Sequence, residues 1–160
     1  MKTKTFALAL AGGTLLAALP AAAFADDDDD DRDGDVRRSG TFVVKKGQEI
    51  DGNITVRNGH VIIRGDVDGN VRQIGRGSVI VANSGSVDGN ITERGNGGVN
   101  VRGDVDGNIT ELHRGTVKIL RSADIDGNVR ERGAGHLVVW RGADIDGNLS
   151  EGGAGRLIRR

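Results

Sequence analysis

Gly65-Asp66-Val67-Asp68-Gly69-Asn70-Val71 is the stretch on which the reading of this chain turns. Its centre returns as Ile50-Asp51-Gly52-Asn53, Val87-Asp88-Gly89-Asn90, Val105-Asp106-Gly107-Asn108, Ile125-Asp126-Gly127-Asn128 and Ile145-Asp146-Gly147-Asn148, each copy followed by Ile, Val or Leu. The aspartates stand 17, 20, 18, 20 and 20 residues apart. A short, nearly constant period marks a repeat architecture, in which no unit can bury its apolar face alone and each depends on its neighbours.

Read as one extended segment, the stretch alternates: Val67, Gly69 and Val71 share one parity and face inward, while Asp66, Asp68 and Asn70 face outward. Between the copies lies a second aliphatic segment, Phe42-Val43-Val44, Val61-Ile62-Ile63, Val79-Ile80-Val81, Val99-Asn100-Val101, Val117-Lys118-Ile119, Leu137-Val138-Val139 and Leu157-Ile158-Arg159. β-Branched enrichment between Gly-rich, charged turns such as Glu93-Arg94-Gly95-Asn96-Gly97 marks short strands, and no 3.6-residue helical period appears after residue 25. An antiparallel meander would make each Asp-Gly a hairpin turn, but it leaves Thr92-Glu93-Arg94 as a charged strand with little to pair against. A solenoid makes each repeat one coil, with equivalent strands parallel and about 4.8 Å apart. The sequence therefore predicts an all-β solenoid over 41–160, of about six short coils of 17–20 residues carrying two strands each. At that spacing the rod is about 29 Å long.

The composition suits a narrow interior: 27 Gly, one Pro, no Cys, no Tyr, three Phe and one Trp in 160 residues. Aromatics usually supply much of a core's buried area, so here small aliphatics must do it. Val61, Ile63, Val67 and Val71 would bury four side chains per coil, worth about 1.5 to 3 kcal/mol each. Ordering some 19 residues costs about 1 to 2 kcal/mol apiece, so a single coil does not hold itself together. Without Cys, no disulfide helps.

The first 25 residues predict a secretory signal peptide: Lys2 and Lys4, an apolar run from Phe6 to Ala22, and Ala23-Phe24-Ala25 as an A-x-A cleavage site. An uncleaved anchor is the competing reading, but the run is short for a span of about 20 residues and rich in Ala and Gly. The expectation is export to the periplasm, cell surface or medium of a bacterium, with no transmembrane span after cleavage. Residues 26–40 read as an acidic disordered tail and linker, since 26–35 hold eight Asp and one Arg. With −7 in that run and +2 from the two lysines, a formal net charge of −1 leaves +4 on residues 36–160.

No catalytic, cofactor-binding or metal-ligating residue is assigned. There is no Cys and no G-x-S-x-G nucleophile signature, no long loop to wall a cleft, and the Gly-rich turns open no helix that would cradle a phosphate. A body of +4 without an aromatic platform argues against nucleic acid. His60 and His136 sit in equivalent places four coils apart, too far to share a metal, and with His113 they read as solvated surface histidines. Asp51, Asp68, Asp88, Asp106, Asp126 and Asp146 form an outward column, with Asp66, Asp104, Asp124 and Asp144 beside it. Charges 5 Å apart repel by about 3 kcal/mol at an effective dielectric of 20, and Arg64, Arg102, Arg121 and Arg141 are expected to offset this. Calcium is the other candidate, because Asp66 to Asn70 offer oxygen at alternate positions, yet the remainder of an EF-hand or of a calcium-binding nonapeptide is missing.

The first and last aliphatic segments carry no capping helix or loop, and they predict open edges at which Phe42, Val44, Leu157 and Ile158 mediate self-association. Head-to-tail stacking of such ends yields a filament when it does not close. An outward stripe of Val43, Ile62, Ile80, Val138 and Ile158, interrupted by Asn100 and Lys118, is either a contact surface or covered by a further wall.

Short coils reading as Gly65 to Val71, with Gly before the next aliphatic strand, resemble the bactofilins over about residues 41–160. That resemblance implies a right-handed parallel β-helix of a bacterial protein that assembles end to end into filaments without nucleotide. Ile50 to Thr55 also fits the hexapeptide repeat of left-handed helices in part, but the second segment does not keep that hexad, so the right-handed form is expected. Bactofilins typically work in the cytoplasm or against the inner membrane face, whereas this N-terminus predicts export. The combined expectation is a non-enzymatic, exported structural protein that polymerises with itself in the cell envelope or outside the cell, with envelope components as further partners. The alternative is a monomeric surface binding or adhesion module whose outward Asp and Asn columns take cations or glycans.

Overall fold

A computed structural model describes residues 31–32 and 34–160; the expected signal peptide at 1–25 and most of the acidic run lie outside the described residues. Three seven-stranded parallel sheets wrap one narrow core. Sheet I stacks β1 (Asp31–Arg32), β4 (Glu49–Ile50), β7 (Asp66–Val67), β10 (Ser86–Val87), β13 (Asp104–Val105), β16 (Asp124–Ile125) and β19 (Asp144–Ile145). Sheet II stacks β2 (Val36–Ser39), β5 (Ile54–Arg57), β8 (Val71–Gly75), β11 (Ile91–Gly95), β14 (Ile109–Glu111), β17 (Val129–Glu131) and β20 (Leu149–Glu151). Sheet III stacks β3 (Phe42–Val44), β6 (Val61–Ile63), β9 (Val79–Val81), β12 (Val99–Val101), β15 (Val117–Ile119), β18 (Leu137–Val139) and β21 (Leu157–Arg159). The chain visits the sheets in turn, so each coil gives one strand to each, and about six turns follow the opening rung. This is the all-β parallel solenoid that the repeat period predicts.

Two expectations change in detail. Each coil holds three strands, not two, because the motif is not a single extended segment. Its first half closes sheet I at Val67, its last residue opens sheet II at Val71, and Asp68-Gly69-Asn70 is the corner between them. Val67 and Val71 still face inward, both fully buried. Secondly, residues 36–39, expected as linker, form β2, which pairs in register with β5 from Val36↔Ile54 to Ser39↔Arg57.

Register is kept from coil to coil, so like stacks on like. Val99, Val101, Val105 and Ile109 of one coil are at most 1% exposed, and their counterparts Val79, Val81, Val87 and Ile91 are at 0%. The corner explains the invariant glycine within this chain. A Cβ on Gly107 would lie 2.4 Å from the carbonyl oxygen of Gly89 and 2.5 Å from its carbon. The backbones of successive corners are therefore stacked too closely for any side chain. Backbone hydrogen bonds carry the stacking through the corner, from Asp106 N to Val87 O at 3.0 Å and from Ile91 N to Asn108 O at 2.9 Å.

Candidate functional site: an asparagine ladder, a buried glutamate column and two unequal ends

The Asn of each corner does more than solvate the wall. Asn70 donates its backbone N–H and its side-chain Nδ2 to Oδ1 of Asn53, both at 2.9 Å. Asn90 repeats this on Asn70, Asn108 on Asn90 and Asn128 on Asn108, at 2.9 to 3.0 Å. The amide dipoles all point the same way along the rod. At the donor end stands Asp35, whose Oδ1 accepts from Asn53 N at 3.0 Å and Asn53 Nδ2 at 2.9 Å. Those two bonds, more than the Arg37 guanidinium beside it, hold the Asp35 carboxyl below the usual range. One Nδ2–H and the Oδ1 of each inner carboxamide are thus engaged within the ladder.

Inside the coil, sheet II places a second column that sequence reasoning did not single out. Gln73, Glu93, Glu111 and Glu131 are all 0% exposed and stack in register, with Glu151 following on the last rung. Their sequence signal is parity: each stands two residues after an inward aliphatic, as in Ile91-Thr92-Glu93 and Ile109-Thr110-Glu111. One oxygen of each lower glutamate fastens the following Gly-rich turn. Glu111 Oε1 accepts from His113 N and Gly115 N, both at 2.9 Å, and Glu131 Oε1 from Gly133 N at 2.8 Å and Gly135 N at 3.3 Å. Gln73 does the same job from the donor side, Nε2 reaching Arg76 O at 2.8 Å and Gly59 O at 3.2 Å. The remaining oxygens, Oε2 of Glu111 and of Glu131 and both of Glu93, are sealed in without an aligned hydrogen bond. A buried charge in that position is costly. Burial accordingly pushes Glu93 and Glu111 up, and it pushes Glu131 to about 7, helped by its carboxyl neighbours Glu111 and Glu151. A protonated carboxyl would supply the donor that these oxygens lack.

The outer Asp columns stand where expected, all exposed. Among the described residues no ion pair joins Arg64, Arg102, Arg121 or Arg141 to them, so the expected neutralisation is not made; these arginines are exposed. Asp88 is pushed up by burial first and then by Asp106, Asp68 and Asp66. Glu49, Asp51 and Asp68 bring ligand oxygens within 4.8 Å of one another on the surface. The histidines are exposed but not idle: His60 Nδ1 accepts from Ser78 N and His136 Nδ1 from Arg156 N, each at 3.1 Å, one coil up.

The two ends differ. At the first rung Phe42 and Val44 are 5% and 0% exposed, with the Arg38 guanidinium 5.3 Å from the Phe42 ring centre. At the last rung Leu157 is 42% exposed, although Val61, Val79, Val99, Val117 and Leu137 in its column are fully buried. Ile158 is half-buried. Of the outward stripe on sheet III, Val43 is 36% exposed and Val138 is 7%.

Curated proteins similar to part of this chain include the anti-sigma-W factor RsiW of Halalkalibacterium halodurans, 44% identical over 57 residues, which are 36% of this chain and 26% of that protein. The anti-sigma-W factor RsiW of Geobacillus kaustophilus is 43% identical over 56 residues, 35% and 27% of the two chains. The match therefore spans about a quarter of the length of these relatives. No solved structure matches. A family model described as Bactofilin, polymer-forming cytoskeletal, matches residues 42–150, from the first strand of sheet III into the last strand of sheet II. The match covers most of the solenoid, and the chain belongs to the bactofilins, a structural family whose members polymerise with themselves.

Proposed function

We propose that this bactofilin is an exported structural protein whose copies stack end to end, the last rung of one on the first rung of the next. One observation carries the end contact: Leu157, exposed at 42%, ends a column whose other members are sealed. Covering it would restore the burial that its column has everywhere else, worth about 1 to 2 kcal/mol for the exposed part of one leucine. Two polar columns support the same geometry. Asn148 continues the amide ladder, and no further coil donates to its Oδ1 among the described residues. Glu151 ends the glutamate column, whose opposite end on sheet II is Arg38, reached through Val56. A register-continuing stack therefore brings an arginine of one copy against a glutamate of the other, about 4.8 Å away by strand spacing. Phe42 and Val44, expected at this contact, are already covered at 5% and 0% exposure, so Val43, 36% exposed and in the column of Ile158, is the aliphatic residue that the first rung offers.

Export rests on Lys2, Lys4, the apolar run and Ala23-Phe24-Ala25, and it would put the polymer in the cell envelope or outside the cell. Electron microscopy of the purified protein tests the stacking. Wild type is expected to form filaments whose length rises with concentration, and Leu157→Lys or Ile158→Lys to remain single rods. A wild-type protein that stays monomeric at every concentration sinks the proposal. For export, N-terminal sequencing of the protein from its host should start at Asp26; an intact Met1 in the mature protein would refute it.

A further inference from the structure

We propose that the outer face of sheet II binds a linear acidic polysaccharide laid along the rod, its carboxylates held by arginines of successive coils. The proposal needs only the fold of a single rod and stands apart from the end-to-end contact.

The charge of the rod is sorted by side. The seven passages from a strand of sheet II to the next strand of sheet III, at 36–41, 54–60, 71–78, 91–98, 109–116, 129–136 and 149–156, hold ten arginines, no lysine and no aspartate. Their four glutamates are the inward column that ends at Glu151, and three of the four are fully buried. Every other carboxylate among the described residues lies in sheet I or in the turns between sheets I and II. On sheet II itself, Arg57, Arg72 and Arg94 take outward positions on three successive coils. Arg57 and Arg94 share a row on either side of Ile74, and Arg72 stands in the row two residues earlier between Thr55 and Thr92, so the cations zigzag. Arg130 rejoins the Arg72 row beyond Thr110. All four are exposed, and among the described residues none of them has a carboxylate partner.

Charge this one-sided attracts a polyanion, and spacing and lining select which kind. The arginines of β5, β8 and β11 come once per coil, about 4.8 Å apart along the rod, which is close to the length of one sugar ring. They alternate between two rows, as carboxylates alternate between the edges of an extended (1→4)-linked uronate chain. Single-stranded nucleic acid is gripped by stacking on aromatic rings, and the seven passages hold no Phe, Tyr or Trp. Sugar hydroxyls need hydrogen-bonding groups between the charges. Thr92, Thr110 and the ladder asparagines line one recess of about 740 Å³ with Arg72, Arg94 and Arg130, and a second of about 640 Å³ meets it at Arg72 and continues past Thr55 and Arg57 to the first rung. One Nδ2–H of Asn70, Asn90 and Asn108 is bound in the ladder, and the other has no partner among the described residues. Arginine meets a carboxylate with two parallel N–H donors. An exposed ion pair is weak alone, but a polymer that engages several coils adds the contacts.

Fluorescence anisotropy of a labelled oligogalacturonate, long enough to span four coils, tests this on the purified protein. Wild type is expected to bind at about 0.1 M salt and to lose about tenfold or more in affinity at about 1 M, as the Debye length falls from about 10 to about 3 Å. Neutral amylose should not compete. Arg57→Glu/Arg72→Glu/Arg94→Glu should bind about tenfold or more weakly while melting within a few degrees of wild type. Arg57→Gln/Arg72→Gln/Arg94→Gln, which adds no negative charge, should weaken binding as well. Arg64→Glu/Arg102→Glu/Arg121→Glu makes the same change of charge in the turns between sheets III and I and, screened from the ligand, should stay within about twofold of wild type. Absence of binding at low salt, equal losses in the sheet II and control variants, or competition by amylose overturns the proposal. Inorganic polyphosphate or oligo-dT that displaces the uronate at a lower concentration of charge assigns the face to a phosphate polymer and also overturns it.

Discussion

Replacing Glu131 by Gln should remove most of a pH dependence that the wild-type fold carries. Glu131 is sealed at 0% exposure, its Oε2 has no aligned donor, and its carboxyl titrates at about 7 against an ordinary 4.5. Because the folded value lies above the unfolded one, the contribution of this group is fully present below about 4.5 and is lost as pH rises through about 7. That displacement makes the protein about 2 to 3 kcal/mol more stable at pH 5 than at pH 8 through this group alone. For a domain of this size the difference corresponds to about 5 to 10 °C in Tm. Glu93 and Glu111 are shifted in the same direction and add to the slope. Gln keeps the Oε1 acceptor for Gly133 and Gly135, as Gln73 already shows that a carboxamide fits this column. Its Nε2 would also give Oε2 of Glu111 a donor. Calorimetric melts of both proteins from pH 4.5 to 8, in a Leu157→Lys background to suppress assembly, provide the measurement. The two curves should meet near pH 4.5 and separate towards pH 8, with the variant higher. Parallel curves, or a wild-type Tm independent of pH, would falsify the view that the column holds protons.

Gly107→Ala puts a methyl 2.4 Å from a backbone oxygen that cannot move without its own coil; a loss of about 3 kcal/mol or more is expected, and a Tm within about 1 °C of wild type would contradict the stacked corner. Asn108→Ala removes the Nδ2 bond to Oδ1 of Asn90 and both bonds that Asn108 Oδ1 receives from Asn128, while the backbone N–H at 108 keeps its bond to Asn90. Partly solvated amides of this kind contribute about 1 to 2 kcal/mol together, and backbone amide hydrogen exchange at Asn128, whose acceptor is lost, should quicken; unchanged exchange there would count against the ladder.

The sequence is most legible where chemistry repeats. The Val-Asp-Gly-Asn period and the parity of the aliphatics identify a parallel solenoid, and they place Val61, Ile63, Val67 and Val71 in its core, where all four are fully buried. Parity misleads at the corner. Asp68, Gly69 and Asn70 alternate as a strand would, but the chain bends there. Gly69 is small because Gly52 lies directly against it: a Cβ at that position would come 2.4 Å from the Gly52 oxygen. The β2 strand escapes a reading by pattern because Val36-Arg37-Arg38-Ser39 has one aliphatic residue and pairs on one side only.

What the order of residues determines by itself is the repeat: its length, its inward aliphatics and the requirement that coils stack, since none could fold alone. What needs three dimensions is which polar groups meet. Glu93, Glu111 and Glu131 look like surface charges in a Gly-rich linear context. They become a buried column only when strands 18 to 20 residues apart are laid in register. The amide ladder from Asp35 to Asn148 arises in the same way. Hydrophobic periodicity is local and survives in the sequence, whereas partners one coil away are set by the register of the stack.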